Sequence, residues 1–147
     1  MREFKFNAWI KAHEIMVAVD SIDFAEEEIL IIDDTGIDRY FPFEEIELLQ
    51  YTGLRDKNGK EIYEGDLIKK QFKDRRIGNF YAVGQVVFSR WYAGFTVPYN
   101  YHGYTNLERL SSDVDEDGWI VANQKMDVIG NIYKNPELLE GATNGSS

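Results

Sequence analysis

The chain has 147 residues, a formal net charge of −10 at pH 7 and no cysteine. The lack of cysteine excludes disulfides, thiol catalysis and cysteine-ligated zinc. No apolar run approaches the ~20 residues of a membrane-spanning helix, and the two histidines, His13 and His102, lie too far apart in sequence for a histidine-rich metal site. We therefore expect a chain without a cofactor or a membrane partner.

The negative charge is concentrated in the first half of the chain. Residues 1–68 hold 17 acidic and seven basic side chains, whereas residues 69–147 hold nine of each. A chain this acidic repels a phosphate backbone at long range, which disfavours nucleic acid as a partner. The acidity indicates solubility, and a basic partner or mimicry of a nucleic-acid surface is the alternative interpretation.

The first 50 residues predict a β-rich lobe made of a meander of short strands. Phe4, Phe6 and Ala8 alternate with polar or aromatic neighbours, which is the period of a strand. Further strands are predicted at residues 15–19 and 28–32. Pro42 followed by acidic residues predicts one helical turn.

The segment after this lobe is dense in turn-forming residues. In Asp56-Lys57-Asn58-Gly59, the aspartate can accept a hydrogen bond from the backbone two residues on, and Gly59 suits a positive φ. The segment therefore predicts a tight hairpin, followed by a corner at Gly65 that leads into a strand at Leu67.

The second half predicts strands at residues 67–72, 81–88, 91–97 and 128–133, with Gly84 as a bend or bulge. Short strands separated by glycine corners predict a small SH3-like β-barrel, which with the hairpin spans residues 51–140. Residues 141–147 are low in complexity and predict a flexible tail. The predicted fold class is mainly β, at most α+β, with short helical turns only.

Three blocks of this sequence resemble the YopX-like family of phage and prophage proteins. They are Phe4–Trp9, Tyr51–Ile68 and Val128–Leu139. Because the blocks lie at the beginning, middle and end, the resemblance covers nearly the whole chain, which we expect to be one compact YopX-like unit. The resemblance implies a phage-derived, β-rich protein in the cytoplasm of a bacterial host, and it implies no reaction.

One acidic loop matches the first half of a calcium-binding loop. Asp113, Asp115 and Asp117 stand at positions 1, 3 and 5 of the pattern, and Gly118 stands at position 6. Position 12 is Gln124, so the bidentate carboxylate that completes the calcium shell is missing. We interpret the loop as a solvated connection between strands, with weak calcium binding as the alternative.

A basic run with neighbouring aromatic residues lies where the charge balance changes. Its members are Lys69, Lys70, Phe72, Lys73, Arg75, Arg76, Phe80 and Tyr81. On a β-barrel, such residues could contact phosphates and stack on bases. The alternative is a solvated loop whose aromatic side chains face the core, and the acidity of the chain favours this alternative.

A second aromatic cluster is a candidate interaction surface. Its residues are Trp91, Tyr92, Tyr99, Tyr101 and Tyr104. Tyrosine and tryptophan bury a large area with little loss of entropy, so they suit a recognition surface. They also suit subunit contacts and barrel packing, and for most of these residues we favour core packing or self-association.

The predicted function follows from these candidates. No nucleophile–base pair, phosphate loop or cofactor fingerprint occurs, so we expect no enzyme. We expect an accessory protein that forms a homo-oligomer or binds a host or phage protein. A nucleic-acid-binding β-barrel is the alternative.

Overall fold

The computed structural model describes residues 3–101, 103–110, 113–114, 120–121 and 126–141, which form fifteen β-strands, one 3-10 helix and one α-helix. This confirms the predicted mainly β fold class. The chain divides into two compact units, Met1–Tyr51 and Thr52–Ser147. The predicted lobe boundary lies between residues 50 and 51.

Strands β1 to β6 belong to the first unit, and the last of them continues into the second. They are β1 (Phe6–Ile10), β2 (Ile15–Ala18), β3 (Ser21–Asp23), β4 (Glu28–Ile32), β5 (Asp38–Pro42) and β6 (Ile46–Arg55). Strand β1 pairs with β2 and β6, and β4 pairs with β3 and β5, all antiparallel.

The core of the first unit is aliphatic. Alternate residues of β1 and β4 point inward, so that Ala8, Ile10, Ile29, Ile31 and Ile46 are buried together. The predicted helical turn is present as a 3-10 helix, residues 43–45, directly after Pro42. Many acidic residues of this unit lie outside the strands, in turns or in the 3-10 helix, as Glu26, Glu27, Asp34, Glu44 and Glu45 do, and these five are exposed.

The second unit contains the remaining strands and the α-helix. They are β7 (Glu61–Tyr63), β8 (Asp66–Asp74), β9 (Gly78–Gln85), β10 (Val87–Ser89), β11 (Gly94–Tyr101), β12 (Tyr104–Arg109), β13 (Asp113–Val114), β14 (Ile120–Val121), β15 (Met126–Asn131) and α1 (Pro136–Gly141). A curled antiparallel sheet has the order β10-β11-β9-β8-β15, and β12 pairs with β11. Closure of this sheet into an SH3-like barrel stays a prediction.

The inner face of the curled sheet holds the main core of the second unit. Its buried residues are Ile62, Ile68, Phe80, Ala82, Val86, Val97, Tyr99, Met126 and Val128. Phe72 packs on this core with its ring 5.6 Å from that of Phe80. The core is therefore built by side chains of β8, β9, β11 and β15, together with Val86 between β9 and β10 and Ile62 of β7.

Gly84 has a different role from the predicted bend. It lies within β9, opposite Ile68 of β8 and Tyr99 of β11. A Cβ atom at this position would lie 2.5 Å from the Pro98 carbonyl oxygen and 2.7 Å from Val97 Cγ1. Glycine is needed here because the backbone of β11 approaches too closely for any side chain.

The predicted turn at Asp56 is confirmed. Asp56 Oδ1 accepts hydrogen bonds from the backbone N–H groups of Asn58 and Lys60, both at 2.9 Å. Gly59 has a φ of 81°, and its N–H donates to the Asp56 carbonyl oxygen. The turn connects β6 and β7, as the residue pattern predicts.

Candidate interaction surface

Within the part of the chain that the structure describes, strand β12 lies at an edge of the curled sheet. Its register with β11 runs from Thr96 opposite Arg109 to Tyr101 opposite Tyr104. Among the strands that the structure describes, none pairs with the other edge of β12. An edge of unpaired N–H and C=O groups is a template for pairing with another strand. We call this surface, Tyr104–Arg109, the β12 edge.

The opposite border of the sheet is covered by the chain itself. Strand β15 pairs with β8 along one edge. On its other edge, Val128 N–H donates to Asp56 Oδ2 at 3.0 Å, and Lys57 N–H donates to the Met126 carbonyl oxygen at 3.4 Å. Asn58 Nδ2 also donates to Asp127 Oδ1 at 2.9 Å. The hairpin turn thus blocks β15 as a template for strand addition.

Exposed aromatic side chains lie beside the β12 edge. Trp91 and Tyr92 occupy the turn between β10 and β11, and Trp91 is 96% exposed. The guanidinium carbon of Arg109 lies 4.9 Å from the centre of the Tyr92 ring. This contact joins the turn to the end of β12. The predicted surface residues Trp91 and Tyr92 are therefore accessible and close to the open edge.

Tyr104 and Leu107 add apolar area on β12 itself. Tyr104 is 72% exposed and lies at the start of the strand, opposite Tyr101. Leu107 is 44% exposed and lies opposite Pro98. Tyr101 is half-buried, packs against the core and accepts a hydrogen bond from Asn106 Nδ2 at 3.2 Å. Tyr101 thus supports the strand pair from inside.

Tyr99 does not belong to the surface on which the sequence analysis placed it. Its side chain is completely buried, with its ring 5.1 Å from that of Phe72. It points inward because alternate residues of β11, Val97, Tyr99 and Tyr101, face the core. Burial, reinforced by the nearby Glu108, raises the pKa of the Tyr99 hydroxyl. Within the described residues this hydroxyl has no hydrogen-bond partner.

The pleat separates the basic run into two sets. Lys70 points to the inner face and donates a hydrogen bond to Glu108 Oε1, while Phe72 and Phe80 stack in the core. Lys69 lies on the other face, where its Nζ is 4.6 Å from the centre of the exposed Tyr81 ring. Sequence adjacency therefore overestimated the size of this cluster.

The predicted calcium loop lies mainly outside the described residues, which exclude Asp115, Asp117 and also His102. The backbone of Asp113 pairs with Val121 in a short ladder. In the described part of the chain, no three acidic or histidine side chains are grouped to hold a metal ion. No helix in the same part is long and apolar enough to cross a membrane.

Sequence analysis missed two features of this region. Leu107 was not recognised as a surface residue, although Asn106, Leu107 and Glu108 alternate as expected for a strand with one exposed face. The contact of Asp56 with Val128 joins residues 72 positions apart. No local pattern signals a contact of that separation.

Comparison with known proteins gives a family and a fold. The family model described as YopX protein matches residues 5–140. The crystal structure of protein EF1440 from Enterococcus faecalis is similar, with a TM-score of 0.52 and 24% sequence identity, covering 95% of this chain and 99% of that one. No curated protein matches the sequence significantly. The match over residues 5–140 shows that the chain belongs to the YopX family.

Proposed function

We propose that this chain is a non-enzymatic accessory protein that self-associates by pairing the β12 edges of two copies. The observation that carries the proposal is the difference between the two borders of the curled sheet. The turn at Asp56 covers β15, whereas β12 has no strand partner beyond β11 within the described residues. Natural proteins block edges that must stay single, so an edge left open suits strand addition.

A second copy is the occupant that this edge fits best. Two identical strands can pair antiparallel about a twofold axis perpendicular to the sheet, so that each contact on one side of the axis is repeated on the other. Leu107 faces outward in β12 and supplies apolar contact area between the two copies. Such a closed dimer pairs both β12 edges and leaves neither of them for further growth.

The charge distribution is compatible with this contact. Residues 1–51 hold 13 acidic and four basic side chains, whereas residues 52–147 hold 13 acidic and 12 basic ones. The β12 edge thus lies in a unit of nearly balanced charge. Added salt screens the repulsion between two chains of net charge −10 and leaves the apolar contacts and backbone hydrogen bonds intact, so it should tighten the dimer.

Sedimentation equilibrium over a range of protein and salt concentrations tests the proposal. We expect a mass that approaches twice the 17.1 kDa of one chain and a dimerisation that strengthens with salt. Leu107→Lys places a charge on the pairing strand, which should dissociate the dimer. Ile77→Lys is the matched control, because Ile77 is 51% exposed in the turn between β8 and β9.

Two results would contradict the proposal. One is the mass of a single chain under every condition. The other is a Leu107→Lys variant that dimerises as the wild type does while Ile77→Lys dissociates.

The resemblance to phage and prophage proteins also supports a proposal about where the protein acts and what else it binds. We place it in the cytoplasm of a bacterial host, where a host or phage protein would be an alternative occupant of the same edge. A competition experiment distinguishes a second copy from another protein as the occupant of the β12 edge. A partner protein that uses this edge would bind the wild type as a monomer and would not bind Leu107→Lys.

A further inference from the structure

Some of the basic side chains of the run described above lie together on the outer surface of the β8–β9 hairpin. In the register of the two strands, Lys69 lies opposite Val83, Gln71 opposite Tyr81, and Lys73 opposite Asn79. Side chains two residues apart on a strand share a face. Lys69, Lys73 and Tyr81 therefore point away from the core that holds Phe72 and Phe80.

Tyr81 is the aromatic centre of this surface. Its side chain is 53% exposed, and the Nζ atom of Lys69 lies 4.6 Å from the ring centre. Here a cation and an accessible ring are held side by side.

The tip of the hairpin adds Arg75 and Arg76, both exposed. Asp74, which precedes them, accepts hydrogen bonds through Oδ1 from the backbone N–H groups of Arg76 and Ile77, at 2.7 and 3.0 Å. These bonds shape the turn in which both exposed arginines stand. We call Lys69, Lys73, Arg75, Arg76 and Tyr81 the basic face.

None of the four cations of the basic face forms an ion pair in the described part of the chain. Asp127 lies opposite Lys69 in the sheet, but its carboxylate is within 3.9 Å of Lys57 and accepts a hydrogen bond from Asn58. The basic face therefore presents cations without ion-pair partners around one exposed ring, with Asp127 as the acidic neighbour of Lys69.

We propose that the basic face binds single-stranded nucleic acid, with phosphates on the lysine and arginine side chains and a base stacked on Tyr81. Lys69 and Lys73 are four residues apart, about 13 Å along the strand, so a single strand lying along β8 contacts both. Stacking on an aromatic ring beside cations is the usual way to bind single strands without sequence preference. An acidic protein segment would match the charges but would not use the ring.

This inference goes beyond the pairing of β12 edges, because it concerns a different face and holds or fails independently of it. The excess of acidic residues in the first 51 positions opposes phosphate binding, so the affinity should be modest and should depend strongly on salt.

Fluorescence anisotropy with a labelled oligothymidylate of about 15 nucleotides, at about 50 mM salt and above, provides the test. We expect saturable binding that weakens as salt rises. Tyr81→Ser should weaken binding about tenfold at each salt concentration, because it removes the stacked base. Lys73→Gln should weaken it less at high salt than at low salt, because each lost phosphate contact lowers the slope of log K against log salt by about 0.7.

Matched control variants distinguish binding at the basic face from a general effect of charge and from a loss of folding. Lys134→Gln removes an exposed cation elsewhere in the second unit, and Tyr104→Ser removes an exposed tyrosine from the β12 edge. Both should leave oligonucleotide binding unchanged. Circular dichroism of every variant should match the wild type.

Three outcomes would overturn the proposal. The first is no binding of the oligonucleotide at the lowest salt. The second is binding that Tyr81→Ser and Lys73→Gln leave intact. The third is polyglutamate that competes as well as the oligonucleotide and is insensitive to Tyr81→Ser, which would assign the face to an acidic protein partner.

Discussion

Lys70 Nζ donates a hydrogen bond to Glu108 Oε1 across the inner face of the curled sheet, although β9 and β11 lie between the strands that carry these residues. The two side chains are only 12% and 21% exposed. The sheet must curl strongly to bring them together. The ion pair therefore ties the open edge strand β12 to β8, the strand next to the β15 border.

Breaking this pair should destabilise the second unit. Glu108→Gln leaves the mostly buried Lys70 ammonium without its carboxylate, and we expect the free energy of unfolding to fall by about 2 kcal/mol. The double variant Lys70→Met, Glu108→Leu should recover most of this loss, because apolar residues of similar size carry no desolvation cost. Urea unfolding of both variants at low protein concentration measures the effect. A double variant less stable than Glu108→Gln would show that the pair does more than neutralise Lys70.

Two aspartate turns with the same hydrogen-bond pattern allow a matched test of how the hydrogen bond from Val128 to Asp56 stabilises β15. In both, the aspartate Oδ1 accepts backbone hydrogen bonds from the residues two and four positions on: Asp33 from Thr35 and Ile37, and Asp56 from Asn58 and Lys60. Only Asp56 is buried, at 1% exposure, and only its Oδ2 reaches a distant strand, at Val128.

Replacing the buried Asp56 should therefore cost far more than replacing the partly exposed Asp33. We expect Asp56→Ala to lower the free energy of unfolding by about 3 kcal/mol, because three backbone N–H groups lose their acceptor, one of them in the buried edge of β15. Asp33→Ala should be much milder, since water can solvate its turn. Hydrogen exchange at Val128 should accelerate only in Asp56→Ala. Equal losses of stability would mean that Asp56 stabilises the protein through its own turn and not through its hydrogen bond with Val128.

The conformation of Gly59 gives a third test. Its φ of 81° is unfavourable for a β-branched residue, so Gly59→Val should lower the free energy of unfolding by about 1–3 kcal/mol. Gly94→Val is the control, because Gly94 lies in a strand, has no such φ, and has only the Tyr92 carbonyl oxygen, 3.7 Å away, near an added Cβ. A melting temperature unchanged in Gly59→Val would refute the requirement for positive φ.

Local chemistry could be predicted from the sequence because it depends on neighbouring residues. The turn at Asp56–Gly59 and the strand β4 follow from side-chain hydrogen bonding and from a run of aliphatic residues, and both occur as predicted. The 3-10 helix after Pro42 follows from the fixed φ of proline. None of these features needs information from the rest of the chain.

Features that depend on distant strands could not be predicted. In the sequence, Tyr99 is one of several tyrosines close together and has no feature that distinguishes it from them. It is buried because of the way β11 pairs with its neighbouring strands. At Gly84 the sequence predicts a bend or bulge, whereas the close approach of Pro98 that requires glycine depends on pairing between β9 and β11. The open edge of β12 is likewise a property of strand order, which residue patterns do not encode.

The final prediction concerns Asp66, at the start of β8. Burial raises the pKa of its carboxyl group to about 6, with a further contribution from the charge of Asp56, although Tyr63 N–H donates to Oδ2 at 2.8 Å. In the unfolded chain the pKa is near 3.9. The folded state therefore holds this proton more tightly than the unfolded state between about pH 4 and pH 6.

The sign of the pH dependence follows directly. The contribution of Asp66 to stability is complete below the unfolded pKa and is lost as pH rises through about 6. Between pH 5 and pH 7.5 the loss should be about 1 kcal/mol. Asp66→Asn keeps a side-chain acceptor for Tyr63 N–H and has no proton to lose, so its stability should fall less over the same range and exceed that of the wild type at pH 7.5.

Asp33→Asn is the control: hydrogen bonds from Thr35 and Arg39 lower the pKa of Asp33, so its contribution changes only at lower pH. Urea unfolding of the three proteins at both pH values decides the matter, and parallel pH profiles for wild type and Asp66→Asn would show that Asp66 is already ionised at pH 5.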